Sequence, residues 1–158
     1  MSRAGTMIDG GGDRRDAADE AAHRLRTAQA INDFYRQAEI VGACQSIAEA
    51  ALDGGPPWAL VYALEDLIYA WAVLEAQLDL TGLVLGTDED SEARTLATSP
   101  VLQQLRAESR AFLARSTVLA RVGGASLAVL VRLHRLGVRL LALDLVEGGT
   151  STAAVVPR

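Results

Sequence analysis

The sequence is poor in several residue types, and each shortage limits what the protein can be. Cys44 is the only cysteine among 158 residues, so an intrachain disulfide is impossible and a reducing compartment is the simplest expectation. Only seven residues are aromatic, and all fifteen basic residues are arginine. The hydrophobic half of the chain is mainly alanine, leucine and valine, a mixture that favours helices over strands. These features predict an all-α fold.

The chain also lacks an excess of positive charge. Its net charge of −5 argues against a nucleic-acid-binding protein, which needs a basic surface to displace the counterions of phosphates. The charge is unevenly distributed: residues 1–92 contain 17 acids and 6 arginines (net −11), and residues 93–158 contain 3 acids and 9 arginines (net +6). This asymmetry is typical of one half packed against the other, or of contact between subunits.

The start of the chain does not predict a targeting segment, and no stretch predicts a membrane span. Residues 1–13 are polar and glycine-rich, which predicts a disordered segment with no signal peptide or anchor. The most apolar stretch, residues 58–74, spans only about 25 Å as a helix, and a hydrocarbon core is about 30 Å thick. It also carries two acids at its centre. We therefore expect a cytoplasmic protein without a membrane span.

Start and stop signals divide the rest into four long helices. The predicted helices cover residues 14–52, 57–80, 100–123 and 126–147. The predicted core stripe of the first helix consists of Thr27, Ile31, Phe34, Ala38, Val41, Gln45, Ala48 and Leu52. That of the third helix consists of Leu102, Leu105, Ser109, Phe112, Ser116 and Leu119. Pro57 suits the first turn of the second helix, Ser99 and Pro100 form an N-cap and first-turn pair, and glycines at 123–124 end the third. The links are mostly short, which predicts a single domain over residues 14–147, an antiparallel bundle of four main helices. Residues 148–158 are expected to form a flexible tail.

The fourth predicted helix is apolar on two sides. One stripe contains Leu127, Val131, His134, Val138, Leu141 and Leu145, and the other contains Val129, Leu133, Leu136, Leu140 and Leu143. Only Arg132, Arg135 and Arg139 form a polar strip between them. A helix that is apolar over most of its circumference is central in a large core or shared between two cores. In a chain of this size the second is simpler, so we expect a homodimer through this helix, with the first helix as a second contributor.

The second predicted helix carries a candidate site. Its core stripe is leucine-rich and follows heptad spacing, with members Leu60, Leu64, Leu67, Trp71, Leu74 and Leu78. A separate stripe contains Trp58, Tyr62, Tyr69 and Val73, and the acids Glu65 and Asp66 lie on either side of it. Aromatic walls with polar tips beside carboxylates are typical of a ligand pocket. An amphipathic face toward solvent or another subunit is the alternative interpretation.

Such a pocket would suit acid–base chemistry by one carboxylate. Side chains at adjacent helical positions diverge by about 100°, so Glu65 and Asp66 cannot share one proton as a catalytic pair does. We take Asp66 as the candidate base, because it lies nearer Tyr62 and Val73, with His23 or His134 as a candidate partner from another helix. His134 also fits a core or interface histidine.

The first helix contains two further histidine motifs. Glu20 and His23 match the Glu-x-x-His step of di-metal bundles, but the chain has one such pair, and Val131 stands where His134 would need an acid. The stretch AAHRLRTAQA at 21–30 resembles histidine phosphotransfer domains, in which an exposed histidine precedes a leucine and a lysine–glycine pair. The resemblance implies His23 as phosphoryl acceptor, with Arg26 and Thr27 in place of that pair.

No motif predicts a cofactor or a metal. The acidic loop at 88–92 lacks the central glycine and the twelfth-position acid of a calcium-binding loop. The sequence therefore predicts a small accessory or regulatory protein that binds a partner protein or a small hydrophobic ligand. The alternatives are a cofactor-independent acid–base isomerase, lyase or cyclase using the pocket of the second helix, and a histidine phosphotransfer protein.

Overall fold

A computed structural model describes residues 10–85 and 92–148 of the chain. Within these ranges it contains no strand and five helices, which are α1 (Gly10–Gly54), α2 (Pro57–Leu85), α3 (Glu92–Ala97), α4 (Pro100–Gly123) and α5 (Leu127–Gly148). The all-α prediction is confirmed. Residues 1–9, 86–91 and 149–158 lie outside the described ranges, and with them most of the predicted disordered segment, of the acidic loop and of the tail.

The ends of the helices follow the local signals. Pro57 begins α2, and the Ser99 side chain accepts a hydrogen bond from the Leu102 N–H at 3.4 Å, with Pro100 as the first residue of α4. Gly124 has φ of 67° at the end of α4, a left-handed conformation that favours glycine because it has no Cβ. Ser126 caps α5 in the same way as Ser99, accepting from the Val129 N–H.

The four long helices form a closed set of neighbours. α1 packs on α2 and α4, α5 packs on the same two helices, and α3 packs on α2. Trp71, Phe34 and Phe112 are buried at the centre with the leucines of α2. The predicted stripes of the first two helices supply this core.

One predicted core residue of the third helix is instead on the surface. Leu119 is 48% exposed, although the rest of its stripe is buried. One turn earlier, Arg115 pairs with Asp53 at 3.3 Å, and Asp53 is the next-to-last residue of α1. Beyond that level α1 has ended, so it supplies no side chain to cover Leu119.

Contacts between helices define their relative order. Gln37 of α1 donates a hydrogen bond to the Ala70 carbonyl of α2 at 3.0 Å, and a cleft further along brings Arg26 and Gln29 together with Leu80 and Thr81. Residue numbers therefore rise along α1 as they fall along α2.

Between α1 and α4 the numbers rise together. Gly42 lies against Leu105, Gln45 against Ser109 and Asp53 against Arg115. α1 and α4 therefore run in the same direction where they meet.

A buried polar network links three of the helices. Ser109 of α4 donates to Gln45 Oε1 of α1 at 2.8 Å and accepts from Trp71 Nε1 of α2 at 3.0 Å. All three side chains are buried, and each bond satisfies a group whose burial would otherwise be costly. The network fixes the register of α1, α2 and α4, since sliding one helix breaks a bond in the core.

In the part of the chain that the structure describes, none of the helices combines the length and the apolarity needed to cross a membrane.

Candidate functional site

The aromatic residues of the predicted site lie on the outside of α2. Trp58, Tyr62 and Tyr69 are each about two-thirds exposed, and Val73 is half-buried. The rings of Trp58 and Tyr62 meet edge to face with their centroids 6.2 Å apart. We call Trp58, Tyr62 and Tyr69 the α2 outer face. The structure brings its first two members together, and Tyr69 lies two turns further along the helix.

The two acids of the predicted site point in different directions. Glu65 faces α5, where its Oε2 atom lies 3.1 Å from Arg132 Nε and 3.2 Å from Arg135 Nη1. About three turns further along α2, Glu75 pairs with Arg139 of α5 at 3.0 Å. The polar strip of the predicted fourth helix is therefore an ion-paired contact with α2, and part of the charge asymmetry of the sequence is balanced within the chain.

Asp66 lies on the other side of α2, toward α1. Burial raises the pKa of the Cys44 thiol, and the negative charge of Asp66 raises it further. Asp66 itself is exposed. An elevated thiol pKa disfavours the thiolate, which is the nucleophilic form, so Cys44 is poorly placed for covalent chemistry at neutral pH.

The outer side of α5 is aliphatic. Leu127, Val131, His134, Val138 and Leu141, five members of the first predicted stripe, are all exposed, with Leu127 at 75% and Leu141 at 60%. We call these five residues the α5 outer face. The second predicted stripe is buried in the core, as its five members show: Val129, Leu133, Leu136, Leu140 and Leu143. The side chain of Leu145 lies outside the described residues.

A cleft of about 440 Å³ opens between α4 and α5 beside this face. Its lining is almost wholly apolar and comes from these two helices alone: Leu113, Thr117, Leu130, Leu133, His134, Gly137, Val138 and Leu141. The apolar surface is thus two helices wide, and His134 and Thr117 are its polar groups.

The structure does not assemble the predicted catalytic residues into one site. His134 belongs to the cleft between α4 and α5, whereas Asp66 lies beside α1 and Glu65 is paired with arginines of α5. A second cleft, of about 320 Å³, lies between α1 and α2 and contains none of the predicted site residues.

His23 is exposed on α1, and Glu20 is engaged in an ion pair with Arg24. Among the described residues, no three histidine, cysteine or acidic side chains are grouped closely enough to hold a metal ion.

Sequence reasoning missed the two sets of polar contacts that organise the molecule. Gln45 and Ser109 both stand on the predicted core stripes of their helices, and a polar residue on such a stripe is the signal of a buried hydrogen bond. The pairing of Glu65 with Arg132 and Arg135 was indicated more weakly by the sequence. That indication was the opposite net charge of the two halves of the chain.

Comparisons of the chain with models of protein families, with curated proteins and with solved structures gave no match. The functional interpretation therefore rests on the geometry of this chain.

Proposed function

We propose that the protein is a small accessory or regulatory protein that works by binding, and that it forms a homodimer through the α5 outer face. The observation that carries the proposal is the exposure of Leu127, Val131, Val138 and Leu141 on one stripe of one helix. Exposed aliphatic side chains that stand singly are ordinary, but a continuous stripe marks an interaction surface. Covering it gains roughly 25 cal/mol for each Å² of apolar area removed from water.

The size of the surface supports a protein partner. The α5 outer face is about 21 Å long from Leu127 to Leu141, and the cleft that α5 shares with α4 widens the apolar surface to roughly 20 Å, two helix spacings. An interface of standard size buries about 800 Å² of each partner. Two copies meeting through this face would form a smaller interface, in the range of weak protein–protein complexes.

We further propose that the domain is built from two antiparallel hairpins, α1–α2 and α4–α5, packed side by side. The opposite order of contacts between α1 and α2 supports the first hairpin, and the three-residue link before Leu127 supports the second. Across the hairpins, α1 and α4 run in the same direction. In this arrangement α5 has α2 and α4 as its neighbours, and its outer face is left for a second subunit.

A small hydrophobic ligand is a second candidate occupant, favoured by the apolar lining of the cleft between α4 and α5. Titration with the fluorescent dye 1-anilinonaphthalene-8-sulfonate separates the two candidates. A ligand site predicts saturable binding that Thr117→Arg abolishes and Val131→Arg preserves, since Val131 is outside the cleft.

A catalytic role for the α2 outer face has less support. Glu65 is occupied by two arginines, Asp66 lies on the opposite flank, and the aromatic side chains are open to water. General acid–base catalysis requires a carboxylate within hydrogen-bonding reach of a positioned substrate. If Asp66 were that base, Asp66→Asn would lower the rate by a factor of about 100 or more.

Analytical ultracentrifugation tests the homodimer. We expect the wild-type protein to sediment at twice its chain mass of 16.7 kDa at micromolar concentration. Val131→Arg places a charge in the α5 outer face and should give a monomer. Tyr69→Arg places the same charge on the α2 outer face and should leave the dimer intact. A monomeric wild type, or a dimer that only Tyr69→Arg dissociates, contradicts the proposal.

A further inference from the structure

The α5 outer face has the same composition read from either end. In order it presents Leu127, Val131, His134, Val138 and Leu141, with steps of four and three residues that keep one side of a helix in line. A two-fold axis makes two copies of one surface complementary to each other. An axis perpendicular to α5 at His134 places leucine opposite leucine and valine opposite valine.

The charges that border the stripe also favour a second copy over an acidic protein. Arg132 and Arg135 lie within 3.2 Å of Glu65, and Arg139 lies 3.0 Å from Glu75. These arginines are already paired with carboxylates of α2, so an acidic partner would have to compete for them. An aliphatic surface with balanced charges at its edge is the better complement.

We infer that two copies of the chain pack through α5 in opposite directions, with their His134 rings facing each other across the axis, and that protonation of these rings weakens the dimer. This inference rests on the proposed homodimer. A protonated imidazole is positively charged, so two protonated rings at the axis would bring two like charges together in a poorly hydrated interface.

The groups around His134 do not offset that charge. On α5 itself the adjacent charged residues are Arg132 and Arg135, and on α4 the arginines nearest to Thr117 along the helix are Arg115, which pairs with Asp53, and Arg121. From α2, Glu65 reaches α5 but is held by Arg132 and Arg135. Leu113 and Thr117, which share the cleft with His134, do not ionise. None of these described groups therefore supplies a free carboxylate that would neutralise a protonated His134.

Disulfide trapping tests the direction and the register. In a Cys44→Ser background, which has no cysteine, His134→Cys should form an intermolecular disulfide under mild oxidation. Leu127→Cys is the matched control. It lies seven residues from the axis, so two copies are about 21 Å apart along the helices, beyond the 7 Å Cα separation that a disulfide can bridge.

An equimolar mixture of the Leu127→Cys and Leu141→Cys chains should cross-link to each other. A disulfide between two Leu127→Cys chains would mean that the helices run in the same direction, and it would overturn the inference.

Sedimentation equilibrium at pH 8 and pH 5.5 tests the protonation. The dissociation constant of the wild type should rise at least tenfold on acidification, and that of His134→Gln should stay constant. Circular dichroism at both pH values confirms that the chain is folded. A monomer at every pH overturns the proposed homodimer, whereas a dimer with the same dissociation constant at both pH values overturns only the role of His134.

Discussion

The α2 and α5 outer faces are both exposed, and they differ in chemistry. The α2 outer face consists of an indole and two phenols, whose N–H and O–H groups remain solvated while the rings lie on the surface. The α5 outer face has four aliphatic side chains and one imidazole, and leucine and valine offer water no hydrogen bond. Exposing the α5 outer face to water is the less favourable of the two in free energy, so this face is the better candidate for an interface.

The exposed stripes of α2 and α5 look alike on a helical wheel but differ in how they interact with water. Both helices bury one apolar side, and each has a second stripe that a helical wheel displays as clearly as the first. On α2 the second stripe carries groups that hydrogen-bond with water, whereas on α5 its aliphatic side chains do not. The lesson is that the chemistry of the exposed groups, more than the degree of exposure, distinguishes a surface from an interface.

The largest expected loss of stability comes from a substitution on the buried side of α5. Leu136 is completely buried, and Leu136→Ala should lower the free energy of unfolding by about 2–5 kcal/mol, through lost burial and a residual cavity. The matched control is Tyr69→Ala on the α2 outer face, where we expect a change within about 0.5 kcal/mol. Urea denaturation measures both. A loss of similar size for Tyr69→Ala would mean that the α2 outer face is covered, and the comparison would fail.

The second prediction concerns the contact that orients α2. Ser109→Ala removes the partner of both Trp71 Nε1 and Gln45 Oε1 and should cost about 1–3 kcal/mol in unfolding free energy, because two buried groups are left unpaired. Ser116→Ala is the control, since the Ser116 hydroxyl bonds only to the Phe112 carbonyl of its own helix. Equal losses for the two variants in urea denaturation would show that the network contributes nothing specific.

The third prediction distinguishes the two acids beside the aromatic stripe. Glu65→Gln removes the charge that pairs with Arg132 and Arg135 and should cost less than about 1 kcal/mol, since the pair is partly exposed. The loss should shrink at high salt, where such pairs are screened. Asp66→Asn should leave the stability nearly unchanged. Thermal denaturation at low and high salt measures both variants. A larger loss of stability for Asp66→Asn than for Glu65→Gln would contradict the finding that Glu65 is the acid that forms the stabilising ion pair.

The smallest effect is on the reactivity of Cys44. Its pKa is raised first by burial and then by Asp66, so Asp66→Asn should lower the pKa and modestly accelerate alkylation by iodoacetamide near pH 8.5. Glu65→Gln, on the opposite flank, should leave the rate unchanged. The raised pKa also predicts that the stability contribution of this thiol is present below its unfolded pKa and is lost as pH rises through its folded pKa. An alkylation rate that falls in Asp66→Asn would contradict this placement.

Much of the fold was predictable because its signals are local. Ser99, Pro100 and Gly124 mark helix ends through backbone geometry that depends only on neighbouring residues. The core stripes of α1 and α2 follow from periodicity alone. Leu119 shows where periodicity stops being sufficient. Its position on the stripe of α4 was predicted, but whether it is buried depends on where α1 ends.

The candidate site was less predictable for the same reason. The wheel of α2 placed Glu65 and Asp66 on either side of the aromatic stripe, but it carried no information on what each acid would meet. The structure gives Glu65 the arginines of α5 and gives Asp66 the neighbourhood of Cys44. A group that ionises is defined by its neighbours, and here those neighbours lie between 20 and 70 residues away in the sequence.

The sequence by itself determined that the chain is helical, where α2 and α4 begin and where α4 ends, and that the fourth predicted helix has two apolar sides. Only the tertiary structure decided which side is buried, because Val129, Leu133, Leu136, Leu140 and Leu143 lie in the core, whereas the described residues of the other stripe stay exposed and border only the cleft beside α4. Periodicity specifies a face, and packing decides what that face contacts.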